Sequence, residues 1–174
     1  MIGIILGSDS DMPKVKDCFA TLEDFGVPFE VIISSAHRTP DKTLAWAASA
    51  RERGVKTIIA VAGGAAHLAG VVAAHTTLPV IAVPVETAIS GGMDSVLSVL
   101  QMPAGVPVAA MAVGKSGGKN AALFALEILA AFDAGVADKL AAYRKKEQSK
   151  IQDKNNALAA AGWKQYVENI EAGK

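Results

Sequence analysis

Ser34-Ser35-Ala36-His37-Arg38-Thr39-Pro40 sets an imidazole beside a guanidinium. Histidine exchanges protons near neutral pH, and arginine forks onto phosphate. The pair fits proton transfer on a phosphorylated small molecule. The segment follows a β-branched run, Val31-Ile32-Ile33, and ends in Thr39-Pro40, which reads as a helix N-cap and first helical residue. In an open α/β sheet, such a strand-to-helix turn lies at the ligand-binding edge. A capped surface turn is the competing reading of the same residues.

Three other loops carry residues suited to a ligand. Gly7-Ser8-Asp9-Ser10-Asp11 combines small residues, two hydroxyls and free helix N-terminal amides, which suit a phosphate. Asp11 would repel a phosphate at close range and fits a ribose diol better, while Ser10 or Asp11 as a plain N-cap ahead of Pro13 is the alternative. Ala62-Gly63-Gly64-Ala65-Ala66-His67-Leu68 leaves room for a small flat or linear guest, with His67 open to a core or capping role. The fourth loop, Glu86 to Gly92, leads to Asp94-Ser95 and then Gln101-Met102-Pro103. No Walker loop, dinucleotide fingerprint or nucleophilic serine elbow occurs. The histidines lack the spacing and carboxylate partner of zinc or iron sites, so no metal is expected.

The elements that must hold these loops alternate. Strand-like runs cover Ile2–Leu6, Phe29–Ile33, Lys56–Ala62, Val80–Val85 and Val106–Val113. Helical stretches cover Asp11–Phe25, Pro40–Arg53, Ala65–Thr76 and Met93–Gln101, and a long one runs from Gly118 to Gln148. Continuous apolar strands alternating with helices indicate a parallel sheet covered on both faces. The fold class is α/β, a three-layer αβα sandwich with a flavodoxin-like five-stranded parallel sheet and an appended C-terminal helix. Gly26 and Gly54 stand where helix C-caps are needed. All four loops leave carboxyl ends of strands, which places Ser8, Asp11, His37, Arg38 and His67 on one sheet edge. Residues 1–148 read as the catalytic domain. Residues 149–174 read as a tail helix, polar at Lys150 to Asn156 and then weakly amphipathic, either docked on a neighbouring subunit or frayed.

Composition narrows the class. The 174 residues carry 17 basic and 17 acidic side chains, so no basic stripe points to nucleic acid. Between Thr57 and Gly114 the only formal charges are Glu86 and Asp94. Glycine, proline and histidine interrupt this run too often for a membrane span. So charge-poor a stretch calls for large apolar subunit interfaces. The lone Cys18 and the absence of a basic, cleavable leader fit a reducing cytoplasm.

The first three loop motifs, Gly7 to Asp11, Ser35 to Pro40 and Ala62 to Leu68, together with Asp94-Ser95-Val96-Leu97-Ser98-Val99-Leu100-Gln101-Met102-Pro103, occur in the order found in the PurE family of purine-biosynthesis enzymes. From Met1 to Gln148 the chain resembles its bacterial class, N5-carboxyaminoimidazole ribonucleotide mutase. The resemblance implies a homo-octamer of flavodoxin-like subunits with no metal, biotin or ATP. It implies movement of a carboxylate from the exocyclic nitrogen of an aminoimidazole ribonucleotide to ring carbon 4. The animal carboxylase branch uses free carbon dioxide and lacks Gly-Gly-Ala-Ala-His-Leu, so the mutase class is favoured. Ala69, Ala82, His75 and Met12 depart from the usual proline, glycine, lysine and tryptophan, and none is a catalytic position.

On this reading the carbamate releases carbon dioxide, which Gly63, Gly64, Ala65 and Ala66 hold against the enamine-like ring. His37 removes the ring proton as general acid/base. Ser8, Ser10 and Arg38 hold the ribose phosphate and Asp11 the ribose hydroxyls. Ser35, His67 and Leu68 complete the substrate pocket. Two alternatives stand beside it: an aminoimidazole ribonucleotide carboxylase using free carbon dioxide, and a catalytically silent nucleotide-binding protein of the same fold.

Overall fold

Five apolar runs pair side by side as parallel strands in the computed structural model, which describes residues 1–173. The strands are β1 (Ile2–Leu6), β2 (Phe29–Ile33), β3 (Thr57–Ala62), β4 (Val80–Pro84) and β5 (Ala109–Ala110), in the order β2-β1-β3-β4-β5. That order reverses direction between β1 and β3, and a crevice opens beyond the strand ends at such a reversal. Leu6 pairs with Ile33 on one side and Val61 on the other, so the first three site loops leave the sheet at one level.

Burial follows position in the sheet. Every residue of β1 and β4 is buried, whereas β2, at the edge, leaves Val31 and Ile33 exposed. Helices α1 (Lys16–Asp24), α2 (Pro40–Ser49), α3 (Leu68–Ala73), α4 (Met93–Leu100) and α5 (Gly114–Ala130) connect and flank the strands, and α6 (Ala134–Glu171) follows them in the chain. Alternate strand residues feed two cores. Ile5, Ile58, Ala60, Val80 and Ala82 pack with Ala47 of α2 and Leu68 and Val72 of α3. Helices α1 and α5 pack together, and α5 lies against β3 and β4. Each fully buried Ile or Leu contributes roughly 1.5–3 kcal/mol, so this sheet is the rigid base of the loops.

Helix ends obey local chemistry. Gly26 and Gly54 have φ of 63° and 84°, and in each case the next residue donates back five positions, Val27 to Leu22 and Val55 to Ala50. This is the left-handed cap expected of them. Several expected elements are shorter than their sequence patterns. Pro13 breaks the first helix, so two 3-10 turns, Asp9–Asp11 and Pro13–Val15, precede α1. The third helix starts only at Leu68, because Ala66 and His67 donate to carbonyls two residues back, Gly64 and Ala65. The fifth strand shrinks from 106–113 to Ala109–Ala110: Pro107 has no N–H to give, and an edge strand has one neighbour. Cys18 is buried in α1, and burial pushes its thiol up to about 12, which leaves it a protonated packing residue.

The chain forms two compact units, Met1–Phe132 and the residues from Asp133 onward. In the second, Asp133 caps α6 by accepting from the amides of Gly135 and Val136 at 3.0 and 3.2 Å. The polar stretch around residues 150–156 lies inside α6. No glycine or proline stands between Val136 and Ala161, so nothing there stops a helix. The break comes at Gly162, with φ 73° and ψ 156°.

Candidate active site

The turn after β2 is built by hydroxyls. Ser35 Oγ accepts from the backbone amides of Arg38, at 3.2 Å, and His37, at 3.4 Å. Thr39 occupies the N-cap position of α2 ahead of Pro40, but its side chain makes no capping bond. Instead Thr39 Oγ1 donates to Ser35 O, accepts from Ser35 N at 3.0 Å, and lies 3.1 Å from Ser34 Oγ. Ser34 Oγ in turn meets Thr43 Oγ1 at 2.8 Å in a buried position. The threonine expected to cap the helix closes the loop that aims His37 and Arg38. Pro40 needs no such cap for its own nitrogen, having no N–H to satisfy.

Arg38 reaches across to the first loop, where its Nη2 donates to Gly7 O at 3.1 Å. Other guanidinium donors remain for a ligand. Ser8 and Ser10 lie beside it, with their hydroxyl oxygens 2.9 Å apart. In the third loop Gly64 has φ 67°, its amide donates to Ser95 Oγ at 2.9 Å, and its carbonyl accepts from Ser98 Oγ at 3.1 Å. A Cβ at Gly63 would stand 2.7 Å from Val85 Cγ2, so only glycine lets this loop pass β4. His67 brings Nδ1 to within 3.0 Å of His37 Nε2, with the rings edge to face and centroids 5.1 Å apart. One ring must donate and the other accept, so one proton lies between them.

These loops enclose a cavity of about 480 Å³. Ser8, Ser10, Asp11, Ser35, His37, Arg38, Gly63, Gly64, Ala65 and Leu68 all line it. His67 is exposed and not part of the wall, which it meets only through its bond with His37, and Ala66 is buried and not part of the wall. Glu86 and Thr87 of the fourth loop line it too, as do Lys14 and Val85, which sequence reasoning passed over. Lys14 sits in a segment that looks like an ordinary exposed first helical turn. Only the fold reveals that its Nζ donates to Glu86 O at 3.2 Å and lies 3.6 Å from Asp11 Oδ1. Asp11 is 6% exposed, and burial pushes its carboxyl above the ordinary value; Lys14 opposes the rise and Asp9 adds to it. Among the described residues no group of three or more histidine, cysteine, aspartate or glutamate side chains is placed to hold a metal ion.

The arrangement offers a cation and hydroxyls for a phosphate, a carboxylate for a diol, a shared-proton imidazole pair, and a glycine-walled recess. The AIR carboxylase family profile matches residues 1–150. The chain belongs to the AIR carboxylase family. Within the family it is 48% identical to N5-carboxyaminoimidazole ribonucleotide mutase of Pyrococcus horikoshii, over 96% of this chain and 93% of that protein. It is 50% identical to the protein of that name in Bacillus subtilis, over 91% and 98%. Phosphoribosylaminoimidazole carboxylase of Saccharomyces cerevisiae is 51% identical over 97% of this chain but only 29% of the yeast protein's length. The crystal structure of Treponema denticola PurE superposes with a TM-score of 0.80 at 29% identity, covering 90% of this chain and 97% of that one. The five-stranded parallel sheet flanked by helices, expected from the strand pattern, is thus the architecture of this AIR carboxylase family member.

Proposed function

We propose that the chain is a purine-biosynthesis isomerase that converts N5-carboxyaminoimidazole ribonucleotide to 4-carboxy-5-aminoimidazole ribonucleotide. The observation that carries this is the His37–His67 pair at 3.0 Å, set between the Arg38–serine corner and the glycine recess. Arg38, Ser8 and Ser10 take the phosphate, since a fixed fork and two hydroxyls match its oxygens. Asp11 takes the ribose hydroxyls. The N–C bond of the carbamate breaks, and the freed carbon dioxide waits in the recess of Gly63, Gly64 and Ala65. Ring carbon 4 attacks it and a C–C bond forms. His37 accepts the proton from carbon 4, and the exocyclic nitrogen regains one, so atoms and charge balance. His67 holds the His37 ring through their shared proton, which sets which His37 nitrogen is free to work. No step calls for a metal, biotin or ATP.

Purified protein given the carbamate without bicarbonate forms the 4-carboxylate product, measured by its absorbance. His37→Asn abolishes this turnover and leaves nucleotide binding largely intact. Near-normal turnover in the variant refutes the assignment of His37. The 51% identity to the yeast carboxylase supports a second reading, in which free carbon dioxide is the substrate. A dependence of product formation on added bicarbonate selects that reading over the first.

The enzyme works in the cytoplasm as a homo-octamer of catalytic domains, residues 1–148, with the tail from residue 149 docked on a neighbouring subunit. Its partners are the ribonucleotide and its own copies, not nucleic acid or membrane. Among the described residues no helix is long and apolar enough to cross a membrane, in keeping with this.

A further inference from the structure

Lys14 has a position that the reaction as described does not use. Its ammonium is tied at two points. It donates to the carbonyl of Glu86, 72 residues away at the end of β4, and it pairs with Asp11 Oδ1 at 3.6 Å. The Glu86 carboxylate is not its partner; that group lies against Gly114, where a Cβ would come within 1.9 Å of Oε1. Lysine carries three N–H donors, so the bond to Glu86 leaves donors turned toward Asp11 and the cavity that both side chains line. The lysine thus stitches the first site loop to the fourth and puts its charge beside a carboxylate that is almost wholly buried.

We propose that Lys14 is a positioning residue for ribose recognition, holding Asp11 ionised and turned into the cavity so that it accepts both ribose hydroxyls. The inference rests on the reading of Asp11 as the ribose ligand. A buried carboxyl without a cation beside it takes up a proton, and a protonated carboxyl accepts a diol less well. Burial already pushes Asp11 up, and Lys14 is the cation that acts against this. The other charged or titratable groups on the same wall are His37, Arg38 and Glu86, with Asp9 adjacent in the first loop. All of these remain when Lys14 alone is changed.

The test is the reverse reaction with 4-carboxy-5-aminoimidazole ribonucleotide and its 2′-deoxyribose analogue, across pH 5 to 9. Lys14→Met raises KM for the ribonucleotide about tenfold, the scale of one weakened charge-assisted hydrogen bond. The variant leaves kcat little changed and lowers the preference for ribose over deoxyribose. Its KM climbs at a higher pH than the parent's as the solution is acidified, because Asp11 now protonates more readily. Lys14→Arg restores the charge and most of the affinity. A purely structural lysine would alter kcat or folding without moving the pH at which KM climbs, and that result overturns the proposal. Asp11→Asn separates the two levels. If it leaves the ribose preference intact, the ribose reading itself fails; if it abolishes the preference while Lys14→Met does not, only the role of Lys14 fails.

Discussion

Asp11, the proposed ribose ligand, is a carboxylate that the fold buries. Its carboxyl is raised above the ordinary value by burial, so the native state holds that proton more tightly than the unfolded chain does. The sign follows from linkage: where the native state binds more protons, stability falls as pH rises. The charged group therefore burdens the fold between its ordinary value and its raised one, and continues to do so at neutral pH. Asp11→Asn removes that burden. Chemical denaturation at pH 7 should show a gain of about 1 kcal/mol, in the range typical of relieved functional sites, with no gain below the ordinary carboxylate value. Turnover at low substrate falls in the same variant. An unchanged or lowered stability at pH 7 would mean that Lys14 compensates the buried charge in full. Asp11, His37 and Arg38 were legible in the sequence because each stands next to a strand end and a helix start. Lys14 was not, since its partner Glu86 O belongs to another loop and is a backbone atom that carries no signature of type. The shared proton of His37 and His67 was equally hidden, as 30 residues separate them.

At the scale of elements, the turn that carries His37 is held by a set of hydroxyls, of which only Thr39 was legible, and then as a helix cap. Ser34, Thr39 and Thr43 form a chain of hydroxyls beneath His37, and Thr43 is fully buried. Thr43→Val keeps the shape and removes the hydroxyl. Ser34 Oγ then loses its buried partner, at a cost of about 1–3 kcal/mol for a hydrogen-bonding group left short inside the fold. The expected outcome is a lower urea midpoint at fixed protein concentration, together with a fall in kcat as the His37 turn loosens. A loss of stability with kcat unchanged would show that the turn is held by Ser35 and Thr39 alone. Strand identity was readable wherever burial is complete, as in β1 and β4, because an all-apolar run of five has few other uses. Readability failed where the backbone decides. Pro107 cuts β5 short despite its valines, and the two-residue-back bonds after Gly64 delay α3. Those bonds shape the recess of the candidate site, so one of the misread element boundaries coincides with a loop that lines the cavity.

At the scale of the whole molecule, α4 presents an apolar face to solvent. Met93, Leu97 and Leu100 fall on one stripe of α4, each at least half exposed, and Ile89 precedes them at 61%. Asp94, the only acidic residue in that helix, is half-buried and accepts a hydrogen bond from Thr87 Oγ1 at 2.5 Å. The stripe thus presents large apolar side chains with its one charge engaged, and such patches on soluble proteins mark association sites. Under the proposed self-association the occupant is a second copy of the chain, because the charge-poor segment from Thr57 to Gly114 offers the same uncharged chemistry to its partner. An isologous contact pairs a patch with itself, and self-pairing is easy for a surface whose sole charge is tied down. Leu97→Glu sets two like charges against each other in such a contact while leaving the cavity walls untouched. Light scattering at micromolar concentration should give an assembly for the parent and smaller species for the variant, with the far-ultraviolet dichroism of both alike. An assembly of unchanged mass in the variant would place the subunit contacts on other surfaces, such as the exposed Val31 and Ile33 of β2. A monomeric parent would remove the octamer from the proposed function altogether, and with it the explanation for 51% hydrophobic residues in a chain of this length.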